Sequence, residues 1–204
     1  MTTSAPVRPS HNAGPGKADL RREILRLRAL RSRSEREAAD ASRTELLVEL
    51  SAQHATIACY VSQDPEPGTL PLLDVLYRRG RRVLIPWMGD GSGPLEIGWG
   101  RYQGPESLVP GPRGILQPAV SLGAEALAEA SLVLCPALAA TPTGIRLGTG
   151  GGWYDRALLH ASARAKTACL VDDDEVFPSL PTDPWDVRMD LIATQTRLRV
   201  WRDK

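Results

Sequence analysis

Between Gly144 and Arg156 the chain reads GIRLGTGGGWYDR, and five of these thirteen residues are glycine: Gly144, Gly148, Gly150, Gly151 and Gly152. Glycine tolerates positive φ and lets a ligand come close to backbone N–H groups. Consecutive N–H groups in such a loop form a concavity that holds an anion. The apolar run Leu132 to Leu138 (LVLCPAL) precedes the loop and reads as a buried strand. Trp153 to Leu159 follows it and reads as the first turns of a helix, whose N-terminus favours negative charge. Strand, glycine loop and helix together suit a phosphate. The loop lacks the GxxxxGK[ST] pattern, and a GxGxxG count from Gly148 meets Trp153 in place of the third glycine. A surface turn is the alternative, but Arg146 and Asp155 bracket the glycines with the two charges that phosphate and metal binding use.

Around this loop, apolar strand-like runs alternate with helical patterns. Helices are expected from Lys17 to Leu30, from a capping box at Ser34–Glu37 to about Gln53, from Leu70 to Arg79, and over Gly123 to Ala130. Strands are expected at 55–61, 82–86, 95–99, 132–138, 167–171 and 190–194. The proline- and glycine-rich stretch 101–118 reads as a long loop. This alternation predicts a single α/β domain, residues 17–204, with a mostly parallel sheet flanked by helices. Met1 to Gly16, rich in Pro, Ser, Gly and Thr, reads as a disordered tail. Ligands in such sheets bind beyond the carboxyl ends of the strands, where the 62–69, 87–93 and glycine loops all emerge.

The 204 residues carry 25 basic and 24 acidic side chains, a net charge of +1. That balance gives no pull toward nucleic acid or an anionic membrane. No apolar run approaches the roughly 18 to 20 residues of a membrane span, and the N-terminus has no apolar core of a secretory signal, so a cytoplasmic protein is expected. Cys59, Cys135 and Cys169 are far apart and each lies in an expected strand, which suits reduced core residues better than a zinc site or disulfides. The first expected helix puts Leu20, Ile24 and Leu27 on one stripe, with Lys17, Arg21 and Arg28 beside it and Arg22, Arg26 and Arg33 on the far side. Lys17 and Arg21 are therefore the better placed to reach a bound polyanion.

RLGTGGGWYDR resembles the RLGxGxGxYD signature of the 5-formyltetrahydrofolate cyclo-ligase family, and KADLR resembles that family's N-terminal K-x-x-x-R. The resemblance implies the three-layer fold of the NagB/RpiA/CoA-transferase type, a monomer, and ATP- and Mg²⁺-dependent closure of 5-formyltetrahydrofolate to 5,10-methenyltetrahydrofolate. It implies nucleotide contacts from Lys17, Arg21, Arg146, Leu147, Gly148, Thr149, Gly150, Gly151, Gly152, Trp153 and Tyr154. It places Val61, Glu66, residues 149–152 and Trp153 around the folate. Asp155 and Asp186 would hold the metal, and Arg146, Tyr154 and Asp155 would serve the chemistry. Departures from the family pattern are Ala140 and Thr141 where Phe-Asp is usual, Thr149 and Gly151 where a bulkier or basic residue occurs, and Trp185 where His or Asn is common. They leave open a non-catalytic folate- or nucleotide-binding paralogue. An α/β enzyme acting on a sugar phosphate would use the same glycine loop.

Overall fold

A computed structural model describes residues 16–200, so the expected tail, apart from Gly16, lies outside the described residues. Two helices open the chain, α1 (Lys17–Leu30) and α2 (Arg33–Leu50). The cap of α2 is Ser32 rather than Ser34. Its side chain accepts the Glu35 N–H, while the Glu35 carboxylate accepts the Ser32 N–H at 2.8 Å. SxxE spacing occurs twice in overlap here, and the earlier copy is used because α1 ends at Leu30 and the chain re-enters a helix within two residues. Strand β1 (Thr56–Cys59), helix α3 (Leu70–Arg78) and strand β2 (Arg82–Trp87) follow. Leu72, Leu73 and Leu76 form the buried face of α3, and Gly80, at φ 72°, ends it.

The next strand, β3 (Gly98–Arg101), starts three residues later than the sequence pattern suggested and runs antiparallel to β2. Its glycines have a packing reason. A Cβ on Gly100 would lie 2.4 Å from Val120 O and from Pro118 Cγ, so only glycine lets the following segment cross this strand. The stretch read as a long loop contains a hairpin, β4 (Leu108–Pro110) and β5 (Leu116–Pro118). Strand β6 (Leu132–Pro136) leads into a short ribbon, β7 (Ala139–Ala140) and β8 (Arg146–Leu147), which delivers the glycine loop to helix α4 (Trp153–Ala157). Strands β9 (Lys166–Leu170), β10 (Leu191–Ala193) and β11 (Leu198–Val200) complete the fold.

The main sheet has the order β11-β10-β9-β6-β1-β2-β3. Five neighbouring strands, β10 to β2, are parallel, and antiparallel β11 and β3 close the two edges. The central strands are apolar along most of their length because helices cover the sheet. Cys59, Cys135 and Cys169 sit fully buried on three adjacent parallel strands, β1, β6 and β9, with Cys135 in register with Cys169. Burial holds the Cys135 and Cys169 thiols at about 12 and raises Cys59 further.

Helix α1 packs on a smaller apolar cluster of Ile24, Leu138, Ala139, Leu147 and Leu180. Here the stripe expected from periodicity is corrected: Leu27 is 43% exposed, while Arg28 is 1% exposed. Arg28 can be buried because Glu175 neutralises it through two bonds, from Nε at 2.8 Å and Nη2 at 2.7 Å, and Nη2 also donates to Ala137 O.

Candidate active site

Beyond the carboxyl ends of β1, β2 and β6 the loops enclose a cleft of about 540 Å³. α1 lines it with Lys17 and Arg21, the ribbon with Arg146, and the whole glycine loop with Gly148 to Gly152. Leu147, Trp153, Tyr154, Asp155 and Asp186 line it too, and Glu66 enters from the loop after β1. Val61 lines a smaller cavity of about 60 Å³ that shares Glu66, Gln63 and Tyr154 with the large one. Every candidate named from the sequence thus falls on these two adjoining spaces.

One part of the cleft lining is ionic. Lys17 Nζ donates to Asp183 Oδ2 at 2.7 Å and to Asp186 Oδ2 at 2.6 Å. Burial alone would lower the Lys17 pKa, but the two aspartates outweigh it and raise it. Burial likewise works against ionised Asp186, and the bonds from Lys17 and the Asp183 N–H overcome it, holding the carboxyl below its usual range. Arg146, brought in by β8, donates from Nη2 to Asp155 Oδ1 at 2.7 Å. Arg21 Nε donates to Gly148 O at 2.8 Å. Gly150, at φ 104°, lies so close to Arg21 that a Cβ would stand 3.2 Å from Cζ. A Cβ on Gly148 or Gly151 would meet nothing within 4 Å, so the backbone there faces open space.

The rest of the lining is largely aromatic and apolar, with Glu66, Gln63, Arg28 and Arg113 among it. Trp153 donates Nε1–H to Glu96 O at 2.7 Å and packs against Trp99 and Tyr154, with ring centroids 5.5 and 4.9 Å away. The Tyr154 hydroxyl is buried without a hydrogen-bond partner, and burial raises its pKa well above the usual phenol value, so it stays protonated. Glu66 is half-buried, and Oε2 accepts the Gln63 N–H at 2.9 Å. Burial raises its pKa against the opposing pull of that bond and of the Arg28 charge.

The donor set fits a metal–polyphosphate. Lys17, Arg21 and Arg146 supply cationic donors, the glycine loop an approachable backbone, and Asp155, Asp183 and Asp186 hard oxygens. These carboxylates are engaged by Lys17 and Arg146. Among the described residues, the three acids whose oxygens crowd within 4.8 Å of one another are instead Asp172, Asp174 and Glu175, and Arg31 grips all three.

Sequence reasoning missed Asp183, although the DPWD run pairs it with Asp186 three residues on. It also missed Arg28, Gln63 and Arg113 as cleft-lining residues. Of the departures, Thr141 is fully buried in the ribbon turn, bonded to Thr143 Oγ1 at 2.8 Å and accepting the Ile145 N–H at 3.2 Å. Trp185 is 70% exposed and lines the cleft.

The sequence profile of the 5-formyltetrahydrofolate cyclo-ligase family matches residues 13–195. A 5-formyltetrahydrofolate cyclo-ligase of Mycolicibacterium smegmatis is 39% identical over 184 residues, 89% of this chain and 94% of that protein. One from Escherichia coli is 28% identical over 148 residues, 72% of this chain and 81% of that protein. The NMR structure of Aquifex aeolicus 5,10-methenyltetrahydrofolate synthetase superposes with a TM-score of 0.76 at 26% identity, covering 92% of this chain and 94% of that one. A Mycoplasma pneumoniae 5,10-methenyltetrahydrofolate synthetase, at 22% identity and a TM-score of 0.68 over 88% and 98% of the chains, shares the fold.

Proposed function

The chain belongs to the 5-formyltetrahydrofolate cyclo-ligase family, and from that premise we propose that it closes 5-formyltetrahydrofolate to 5,10-methenyltetrahydrofolate using ATP and Mg²⁺, releasing ADP and phosphate. The observation that carries this reading is that one cleft gathers the ionic set of Lys17, Arg146 and the glycine loop together with the aromatic rings of Trp153 and Tyr154 and the carboxylate of Glu66. A reaction between a polyphosphate and a flat heterocycle needs both sets within one enclosure.

The chemical obstacle is that a formamide oxygen is a poor leaving group. When bound, the metal–nucleotide supplies a phosphoryl group that turns this oxygen into phosphate, which leaves once the second folate nitrogen attacks the formyl carbon. The protein's part is orientation and charge. Lys17, Arg21 and Arg146 donate to phosphate oxygens, and the backbone from Leu147 through Thr149 to Gly152 allows close approach. Asp155 and Asp186, joined by Asp183, offer oxygen ligands for Mg²⁺. Glu66 accepts the paired N–H groups of the aminopyrimidine edge. Val61, Trp153 and Tyr154 form apolar walls, and the Tyr154 hydroxyl is an unspent donor beside the reacting groups. The reaction calls for no membrane or nucleic acid, and a cytoplasmic monomer is sufficient for it.

The test is the absorbance of the methenyl product in mixtures of purified protein, 5-formyltetrahydrofolate, ATP and Mg²⁺. Absorbance should grow only when all are present. No product, or equal product without ATP, would overturn the reading.

A further inference from the structure

The tip of the β4–β5 hairpin is built in an uncommon way. Ile115 N–H donates to Pro112 O at 3.2 Å, and the two residues between them have positive φ: Arg113 at 59° and Gly114 at 75°. This is the mirror-image turn that favours Asn-Gly or Gly-Gly, because other side chains are strained in the left-handed region. Among the described residues Arg113 is the one non-glycine with positive φ. Such an outlier is a reason to ask what the side chain does.

Arg113 is exposed and lines the large cleft. Four other cations line the same cleft, and each is already engaged: Lys17 by Asp183 and Asp186, Arg21 by Gly148 O, Arg28 by Glu175, and Arg146 by Asp155. Among the described residues, Arg113 has no hydrogen-bond or ion-pair partner. Its neighbours across the turn, Ile115 and Leu116, line the small cavity together with Glu66 and Val61. The hairpin therefore sets Ile115 and Leu116 against the Glu66 pocket and leaves the exposed, unpartnered Arg113 outside that pocket, on the large cleft.

We infer that Arg113 binds the carboxylates at the glutamate end of the folate. This rests on the folate reading above. With the aminopyrimidine edge at Glu66, the opposite end of the substrate must leave the enclosed compartment toward solvent, and that end carries two carboxylates, more when further glutamates are attached. A guanidinium fork matches a carboxylate in two parallel hydrogen bonds. The lack of an internal partner keeps the fork available.

The experiment compares 5-formyltetrahydrofolate with 5-formyltetrahydropteroate, which lacks glutamate, on the wild type, Arg113→Asn and Arg113→Lys. Asn suits this turn, so the fold should hold, as a thermal melt would show. Arg113→Asn should raise KM for the glutamate-bearing substrate about five- to tenfold and leave KM for the pteroate and for ATP within about twofold. Arg113→Lys should recover part of the loss, and a triglutamate substrate should widen the gap. An equal rise for both substrates, or no rise, would overturn the assignment of Arg113 alone. A wild type that binds and converts neither compound would overturn the folate reading and this inference with it.

Discussion

Glu66 carries opposing demands. In the role proposed for it, Glu66 must be ionised to accept two N–H donors, yet burial raises its pKa. A carboxyl whose folded pKa lies above its unfolded value costs stability once pH exceeds the ordinary carboxylate range, and the cost vanishes below that range. Glu66→Gln should therefore melt at a higher temperature than wild type near pH 7, with the difference shrinking toward pH 4. A difference that stays constant or grows in acid would contradict this. The same substitution should raise KM for 5-formyltetrahydrofolate about tenfold, since a donor of the ring loses its acceptor at a cost of about 1 to 3 kcal/mol, and leave the ATP requirement little changed. Paired titrations in each substrate separate the two effects. The glycine-loop residues could be picked out because they form one local motif, Glu66 came in only through the family resemblance, and all of them line the cleft. Arg28 could not be picked out, because its burial depends on a partner 147 residues away.

At the scale of elements, α1 contributes to both parts of the cleft lining, with Lys17 and Arg21 in the ionic set and Arg28 near Glu66. Its docking relies on Arg28–Glu175, in which both side chains are at most 4% exposed. Removing one member of a buried pair leaves the other uncompensated. Glu175→Gln or Arg28→Ala should destabilise the protein by about 3 to 5 kcal/mol. Arg26→Ala, which removes an exposed, solvent-screened pair with Glu23 on the same helix, should leave stability close to that of the wild type. Urea unfolding of the three variants checks the ranking, and equal midpoints would refute it. In ATP titrations Lys17→Ala should raise the requirement about tenfold or more, the worth of a charge-assisted bond, and Arg26→Ala should leave it unchanged. The helix and the inward side of Leu20 and Ile24 were readable from periodicity, whereas the exposure of Leu27 was not, because the paired Arg28 takes the place that apolar counting assigns to leucine.

For the molecule as a whole, the alternation of strand and helix patterns was enough to indicate a parallel sheet and a site at its carboxyl edge. The antiparallel edge strands were less legible: β3 is rich in glycine kept for packing, and β11 is short and only half-buried. In the cleft Lys17 neutralises Asp183 and Asp186, and Arg146 neutralises Asp155, so binding of a metal–nucleotide as proposed would exchange partners on both sides. ATP with Mg²⁺, bound as proposed, would satisfy both sets, whereas ATP alone would leave the aspartates facing phosphate. At about one hundred times its Kd the magnesium complex should stabilise the fold by about 2.7 kcal/mol, and ATP with a chelator should give a smaller thermal shift. Equal shifts would contradict the pairing described. The three cysteines lend themselves to a different use. Thiolate, the reactive form, is scarce at neutral pH for groups held at about 12, and no reagent reaches them while the middle of the sheet is closed. Each lies on a different central strand, so modification of any one requires the sheet to part. The chain thus contains its own reporter of opening: where reclosing outpaces labelling, the rate at which a thiol reagent labels the native protein reads the population of the opened sheet with no probe introduced. All three sites should be modified at one common rate, which bound substrates slow.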